Sequence, residues 1–145
     1  MSKVEAFLTE EEEADVIKAI VAAEKNTSGE IRVHIEGHTD GDPYDRAKDL
    51  FHQLKMDNTK DGNGVLIYVA VQDRKFVICG DRGINDIVGT NFWNSTKDAI
   101  QEHFKKGNFK QGLINGILMA GEALQQYFPW DHNDTNELSN EISKE

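Results

Sequence analysis

Along the chain, stretches whose apolar residues recur every three or four positions trade places with stretches where they alternate or run together. Thr9 followed by Glu12 predicts a capping box, and the stripe Val16, Ile17, Ile20 and Val21 behind it predicts the first helix. The acidic run 10–15 is then a helix first turn, where carboxylates suit the helix dipole. Residues 30–36 (EIRVHIE) set Ile31, Val33 and Ile35 against Arg32 and His34, the period of a strand buried mainly on one face. Pro43 fits a helix first turn ahead of Ala47, Leu50, Phe51 and Leu54. Residues 57–64 (DNTKDGNG) read as a polar loop, and 65–71 (VLIYVAV) as a central strand covered on both faces. A turn at Asp73 and Arg74 leads into 75–79 (KFVIC) and predicts an antiparallel hairpin. Phe92, Trp93, Ile100 and Phe104 fall on one helix ended by Gly107. Asn108 then caps a last helix striped by Leu113, Ile114, Ile117, Leu118, Ala120 and Leu124.

The order α-β-α-β-β-α-α with short connections predicts one α/β domain over residues 1–130, a three-layer α/β/α sandwich around a small mixed central sheet. From Asp131 onward the chain is polar and acidic, so 131–145 are expected to form a mobile tail, with Leu138 and Ile142 able to sit on a frayed helix. The 145 residues carry 16 Lys and Arg against 26 Asp and Glu, a net charge of −10. That surface repels phosphate backbones, and only Lys105, Lys106 and Lys110 approach a basic patch, so no nucleic acid is expected as a partner. No uncharged apolar run reaches the length of a membrane span. The first thirteen residues lack the basic head and apolar block of a secretory signal, which points to a cytoplasmic location. With Cys79 as the only cysteine, neither an internal disulfide nor a cysteine zinc site can form.

Topology brings the candidate chemistry together. A strand–helix–strand unit is normally a right-handed crossover between parallel strands, so the first two strands start at one end of the sheet, and the hairpin returns the third strand to that end. The loops 27–30, 57–64 and 80–86 therefore converge, gathering Glu30, Asp61, Asn63, Asp81 and Asp86, while Asp40, Asp42 and Asp73 go to the opposite end. Crowded carboxylates repel unless a cation sits among them. Oxygen donors on glycine-containing loops suit calcium first and magnesium or another divalent ion second. The plainer alternative is that these are solvated turn formers.

Other motifs fail on inspection. Asp57, Thr59, Asp61 and Gly62 imitate the first half of an EF-hand loop, but Tyr68 stands at the twelfth position and a strand follows. Asp40-Gly41-Asp42 resembles the two-aspartate loop of haloacid-dehalogenase-type phosphatases, but Tyr44 replaces the small β-branched residue, which leaves a turn and a helix cap. His34 and His38 are four apart on a strand and its exit, so the helical zinc-protease motif is absent and a surface pair is expected. Cys79 has Asn85, not Arg, six residues on, and reads as a buried structural thiol.

Taken in order, Leu8-Thr9, Thr27-Ser28-Gly29-Glu30, Asn63-Gly64-Val65-Leu66-Ile67-Tyr68, Asp73-Arg74-Lys75-Phe76, Gly80-Asp81-Arg82-Gly83-Ile84-Asn85, Phe92-Trp93, Phe104, Gly107-Asn108-Phe109 and Gly112-Leu113 resemble the TPM domain family, roughly over residues 7–129. The resemblance implies an α/β/α sandwich and an acidic site for a divalent cation, usually calcium. It also implies acid-phosphatase activity for some plant relatives and auxiliary roles in membrane-protein repair or assembly for others. The family's Asn-Gly start of the central strand falls on Asn63-Gly64 and its glycine turn on 80–83; the Asp that often precedes Asn-Gly is displaced here to Asp61 by Gly62. The expected function is a stand-alone, calcium-binding TPM-like module that is metal-responsive and binding or regulatory. The alternative is a metal-dependent acid phosphatase in which the cation and Arg82 polarise a phosphomonoester and Asp86 or Glu30 serves as base. An unidentified protein partner is expected at the loop surface or at Trp130.

Overall fold

In a computed structural model, which describes residues 3–25, 27–59, 61–89, 91–130 and 142–144, a four-stranded sheet of order β3-β2-β1-β4 carries helices on both faces. Chain order is α1 (Lys3–Phe7), α2 (Glu10–Glu24), β1 (Glu30–Glu36), α3 (Pro43–Gln53), β2 (Gly64–Ala70), β3 (Lys75–Gly80), α4 (Arg82–Val88), α5 (Asn94–Lys105), α6 (Phe109–Tyr127) and β4 (Ser143–Lys144). β1 runs parallel to β2 with α3 as the crossover, and β2 pairs antiparallel with β3, as the topology argument requires. The α2 capping box is formed: the Glu12 N–H donates to Thr9 Oγ1 at 3.1 Å, and the Thr9 N–H to Glu12 Oε1 at 3.0 Å. At the start of α3, Asp42 Oδ1 accepts from the Tyr44 N–H at 2.8 Å.

Strand alternation divides the core. Ile31, Val33, Ile35, Val65, Ile67, Val69 and Ile78 point to one face, where Val16 and Ile20 of α2, Ile100 of α5 and Leu113, Ile117 and Leu124 of α6 cover them. Leu66, Tyr68, Ala70 and Cys79 point to the other, under Ala47, Leu50 and Phe51 of α3 with Met56. Each such aliphatic side chain contributes about 1.5–3 kcal/mol when fully buried, so the two faces dominate stability. On α6 it is glycine that sets the spacing: a Cβ on Gly116 would meet Ile100 at 2.5 Å and one on Gly121 would meet Ala23 at 2.7 Å. Leu118 on α6 is 41% exposed, and Val21 on α2 is likewise exposed, so both leave the stripes read from spacing alone.

Three further expectations change. The single helix predicted through Phe92 and Phe104 is two, because Gly89 turns the chain at φ 81° and α5 begins only at Asn94. β1 is covered on both faces rather than mainly one, and His34 is 1% exposed rather than half of a surface pair. A fourth strand, too short to have any pattern, pairs Ser143 and Lys144 in parallel with His34 and Ile35. Residues 131–141 and 145 of the expected tail, Leu138 included, lie outside the described residues. Among the described residues no helix is long and apolar enough to cross a membrane.

Candidate functional site

At the end of the sheet where β1 and β2 begin, Glu30 aligns with Gly64, and Gly80 at the end of β3 aligns with Val65. The loop between α3 and β2 is wound by the Gly62 N–H onto Thr59 O at 3.5 Å and the Asn63 N–H onto Thr59 Oγ1 at 3.3 Å. Against it sits the start of α4: the Asp81 N–H donates to Gly64 O at 2.9 Å and the Ile84 N–H to Gly62 O at 3.2 Å. A Cβ on Gly83 would lie 2.2 Å from Asp61 O and 2.4 Å from Gly62 O, so only glycine lets the two backbones touch. Asp81 caps α4, its Oδ1 accepting from the Arg82 N–H at 2.7 Å.

The third loop joins through a residue that sequence reasoning did not single out. The Ser28 hydroxyl donates to Asp61 Oδ2 at 3.3 Å and accepts from Asn63 Nδ2 at 3.1 Å. The same loop is tied to the end of α6, where the Ser28 N–H and Thr27 Oγ1 both donate to Phe128 O and Thr27 bridges to Pro129. Asn63 is 1% exposed, and among the described residues its Oδ1 has no hydrogen-bond partner. An orphaned buried acceptor of this kind costs roughly 1–3 kcal/mol.

A second missed residue is Glu24, one α-helical step beyond Val16 and Ile20 and therefore aimed inward. Its Oε2 accepts from the Ile31 N–H at 2.7 Å. Burial pushes its carboxyl up to about 8 against the pull of that N–H, and the neighbouring Glu30, itself 2% exposed, pushes the same way. Of the five residues expected here, the structure brings Asp61, Asn63 and Asp81 together across touching loops, with Glu30 next to Asn63 through its N–H on Asn63 O at 3.4 Å. Asp86 is exposed on α4, and among the described residues no hydrogen bond joins it to the others. No three His, Cys, Asp or Glu side chains among the described residues gather tightly enough to hold a metal by themselves. The oxygens nearest one another are a mixed set of carboxylate, amide, hydroxyl and main-chain carbonyl, which is hard-donor chemistry.

The opposite end of β1 is built otherwise. Glu36 receives the Arg46 guanidinium on both oxygens, Nε to Oε2 at 3.0 Å and Nη2 to Oε1 at 2.9 Å, together with the Tyr68 hydroxyl and His34 Nε2 at 3.2 Å. Burial works against its charge, but these partners outweigh burial and hold the carboxyl down at about 2. Farther out, His38 bridges Asp73 and Asp40 at 2.6 and 2.8 Å, which raises its imidazole above the ordinary range. Cys79 is buried, and its thiol is pushed up to about 11 by that burial and by Asp81, which suits a structural role.

With that geometry in hand, the sequence profile of the TPM domain matches residues 2–123. The chain belongs to the TPM domain family. The BA42 protein of the psychrophilic bacterium Bizionia argentinensis is similar along 100% of both chains, at 63% identity and a TM-score of 0.92. The N-terminal domain of a P. gingivalis protein shares 21% identity over 84% of this chain and 79% of its own, with a TM-score of 0.69. That of the cg2496 protein from Corynebacterium glutamicum shares 14% over 81% and 74%, with a TM-score of 0.64. The last two likenesses are of fold. No curated protein matches the chain.

Proposed function

We propose that this TPM domain binds a divalent cation, calcium before magnesium, between the loops 57–64 and 80–86, and that the ion makes it a metal-responsive binding module. The observation that carries the reading is Asn63 Oδ1, a fully buried acceptor with no donor among the described residues, set among Ser28, Asp61 and the Asp81 turn. A cation there would take up the orphaned oxygen, draw on Asp61 and Asp81, and offset the charge near Glu30. Asp86 would act only at the outer edge. Trp130, 46% exposed and one residue past the Pro129 bridge to Thr27, stands beside the adjoining 27–30 loop and is the natural contact for a protein partner. Hydrolysis of phosphomonoesters is the less supported reading, because an acidic site repels a phosphate dianion and Arg82 is exposed on α4.

Binding to the folded state alone stabilises it by about 2.7 kcal/mol at a hundredfold excess over Kd. Calcium is therefore expected to raise the melting temperature of chelator-treated protein. Asp81→Asn, which keeps an oxygen for the Arg82 cap, and Asn63→Ala should each remove most of that rise. No rise, or a rise that survives both substitutions, defeats the proposal.

A further inference from the structure

We propose that a cavity at the far end of the sheet from these loops binds a medium-chain carboxylate. Two sequence segments that the cation site leaves unused, Asp73-Arg74-Lys75-Phe76 and Phe104 to Phe109, meet here. The cavity, of about 470 Å³, is walled by Phe7, Val69, Phe76, Phe104 and Phe109. That volume lies within the roughly 300–1,000 Å³ of small-molecule sites. The rings form a continuous wall: Phe104 meets Phe76 at 5.3 Å, Phe109 at 5.5 Å and Phe7 at 6.0 Å between centroids.

The mouth has the opposite character. Arg74, Lys75 and Lys105 line it, all exposed, and among the described residues no Asp or Glu lines it, in a chain in which acids outnumber bases by 26 to 16. None of the three cations makes an ion pair among the described residues; the nearby Asp73 is engaged by His38 and the Thr39 N–H, and it also feels the charge of Lys75. Arg74 holds a left-handed backbone, φ 55°, where a hairpin turn ordinarily places glycine or asparagine. An apolar recess under a cationic mouth selects an alkyl chain with an anionic head, the chain replacing water against the rings and the head staying at the lysines. Among the described residues the large exposed apolar side chains, Val21, Tyr44, Ile87, Leu118, Tyr127 and Trp130, do not line this mouth. Among the described residues the rim therefore offers no large apolar side chain to a bilayer, and the geometry favours a ligand that enters singly over a lipid surface.

The test titrates the isotope-labelled full chain with sodium decanoate below its micelle-forming concentration and follows amide shifts. Saturable shifts are expected at Val69, Phe76, Phe104 and Phe109. Decyltrimethylammonium, the same chain with a cationic head, is expected to bind about tenfold more weakly, and Lys75→Glu with Lys105→Glu should cost decanoate a similar factor. Both lysines are exposed, and unchanged shifts at the calcium loops will show that the variant folds. Equal binding of the two amphiphiles would reduce the cavity to a packing defect and overturn the proposal. So would shifts centred elsewhere, decanoate affinity untouched by the double charge reversal, or binding only to phosphatidylglycerol vesicles.

Discussion

β1 begins and ends with a buried glutamate, and the two ends treat that charge in opposite ways. Glu36, 4% exposed, has a bidentate arginine, a tyrosine hydroxyl and an imidazole gathered around it, so the protein supplies the countercharge from its own side chains. Next to Glu30, 2% exposed, stands a second carboxyl, Glu24, and then Asn63 Oδ1, an acceptor with no donor among the described residues. Carboxyl and amide acceptors are thus concentrated at the start of β1. A closed network of the first kind fixes one arrangement of α3 on the sheet, whereas the second kind is where we propose that a cation from solution binds.

The sharpest way to break the comparison is to remove the cation at the closed end. Arg46→Met should cost about 3–5 kcal/mol in urea unfolding, since a buried carboxylate then loses its charged partner. A companion Glu36→Gln in the same background should recover part of the loss, because the uncompensated charge is gone. If Arg46→Met costs less than about 1 kcal/mol, the network is a surface pair in energetic terms and the contrast fails.

Acidity separates the two ends next. The Glu36 carboxyl titrates at about 2 when folded against 4.5 in the unfolded chain, so between those values the unfolded state binds more protons. Its contribution is complete above pH 4.5 and is lost as pH falls toward 2; Glu36→Gln should remove that acid-side loss, roughly 3 kcal/mol in all. Glu24 has the reverse sign. Its carboxyl titrates at about 8 folded against 4.5, so the folded state binds more protons in that window and stability falls as pH rises through it. In chelator, Glu24→Gln, which keeps an acceptor for the Ile31 N–H, should flatten the fall between pH 4.5 and 8; an unchanged slope would remove Glu24 from the comparison.

What the sequence made legible follows from which physical rules are local. β1 was read at the limits it has, and α2 and α3 at their caps, because alternation, a capping box and a proline at a first turn are set by neighbouring residues. The meeting of the three loops followed from crossover handedness alone. Ser28 and Glu24 were missed for different reasons. A serine in a turn carries no pattern, and its bonds to Asp61 and Asn63 span more than thirty residues. Glu24 was visible as the next inward position after Val16 and Ile20, but a polar residue ending a stripe reads as the end of the helix. β4 could not be read, since a two-residue strand has no period, and the buried His34 network depends in part on Ser143 from it.

The finest distinction lies within the loop site, between acids that touch and an acid that only neighbours. Asp81 belongs to the turn whose backbone contacts the 57–64 loop, with its Oδ2 close to the Gly62 position, whereas Asp86 sits exposed later on α4. Charge at an exposed position is felt through solvent and screened within about 10 Å at 0.1 M salt, so Asp86 can draw a cation toward the site but not hold it. Asp86→Asn should therefore weaken calcium affinity by less than about threefold, with the loss vanishing as salt is raised. Asp81→Asn should weaken it by well over tenfold at any salt, as removal of a directly engaged carboxylate does. Calorimetric titration at two ionic strengths measures both. Equal losses from the two variants would move the cation outward onto α4, and with it the reason for giving Asn63 Oδ1 the central place.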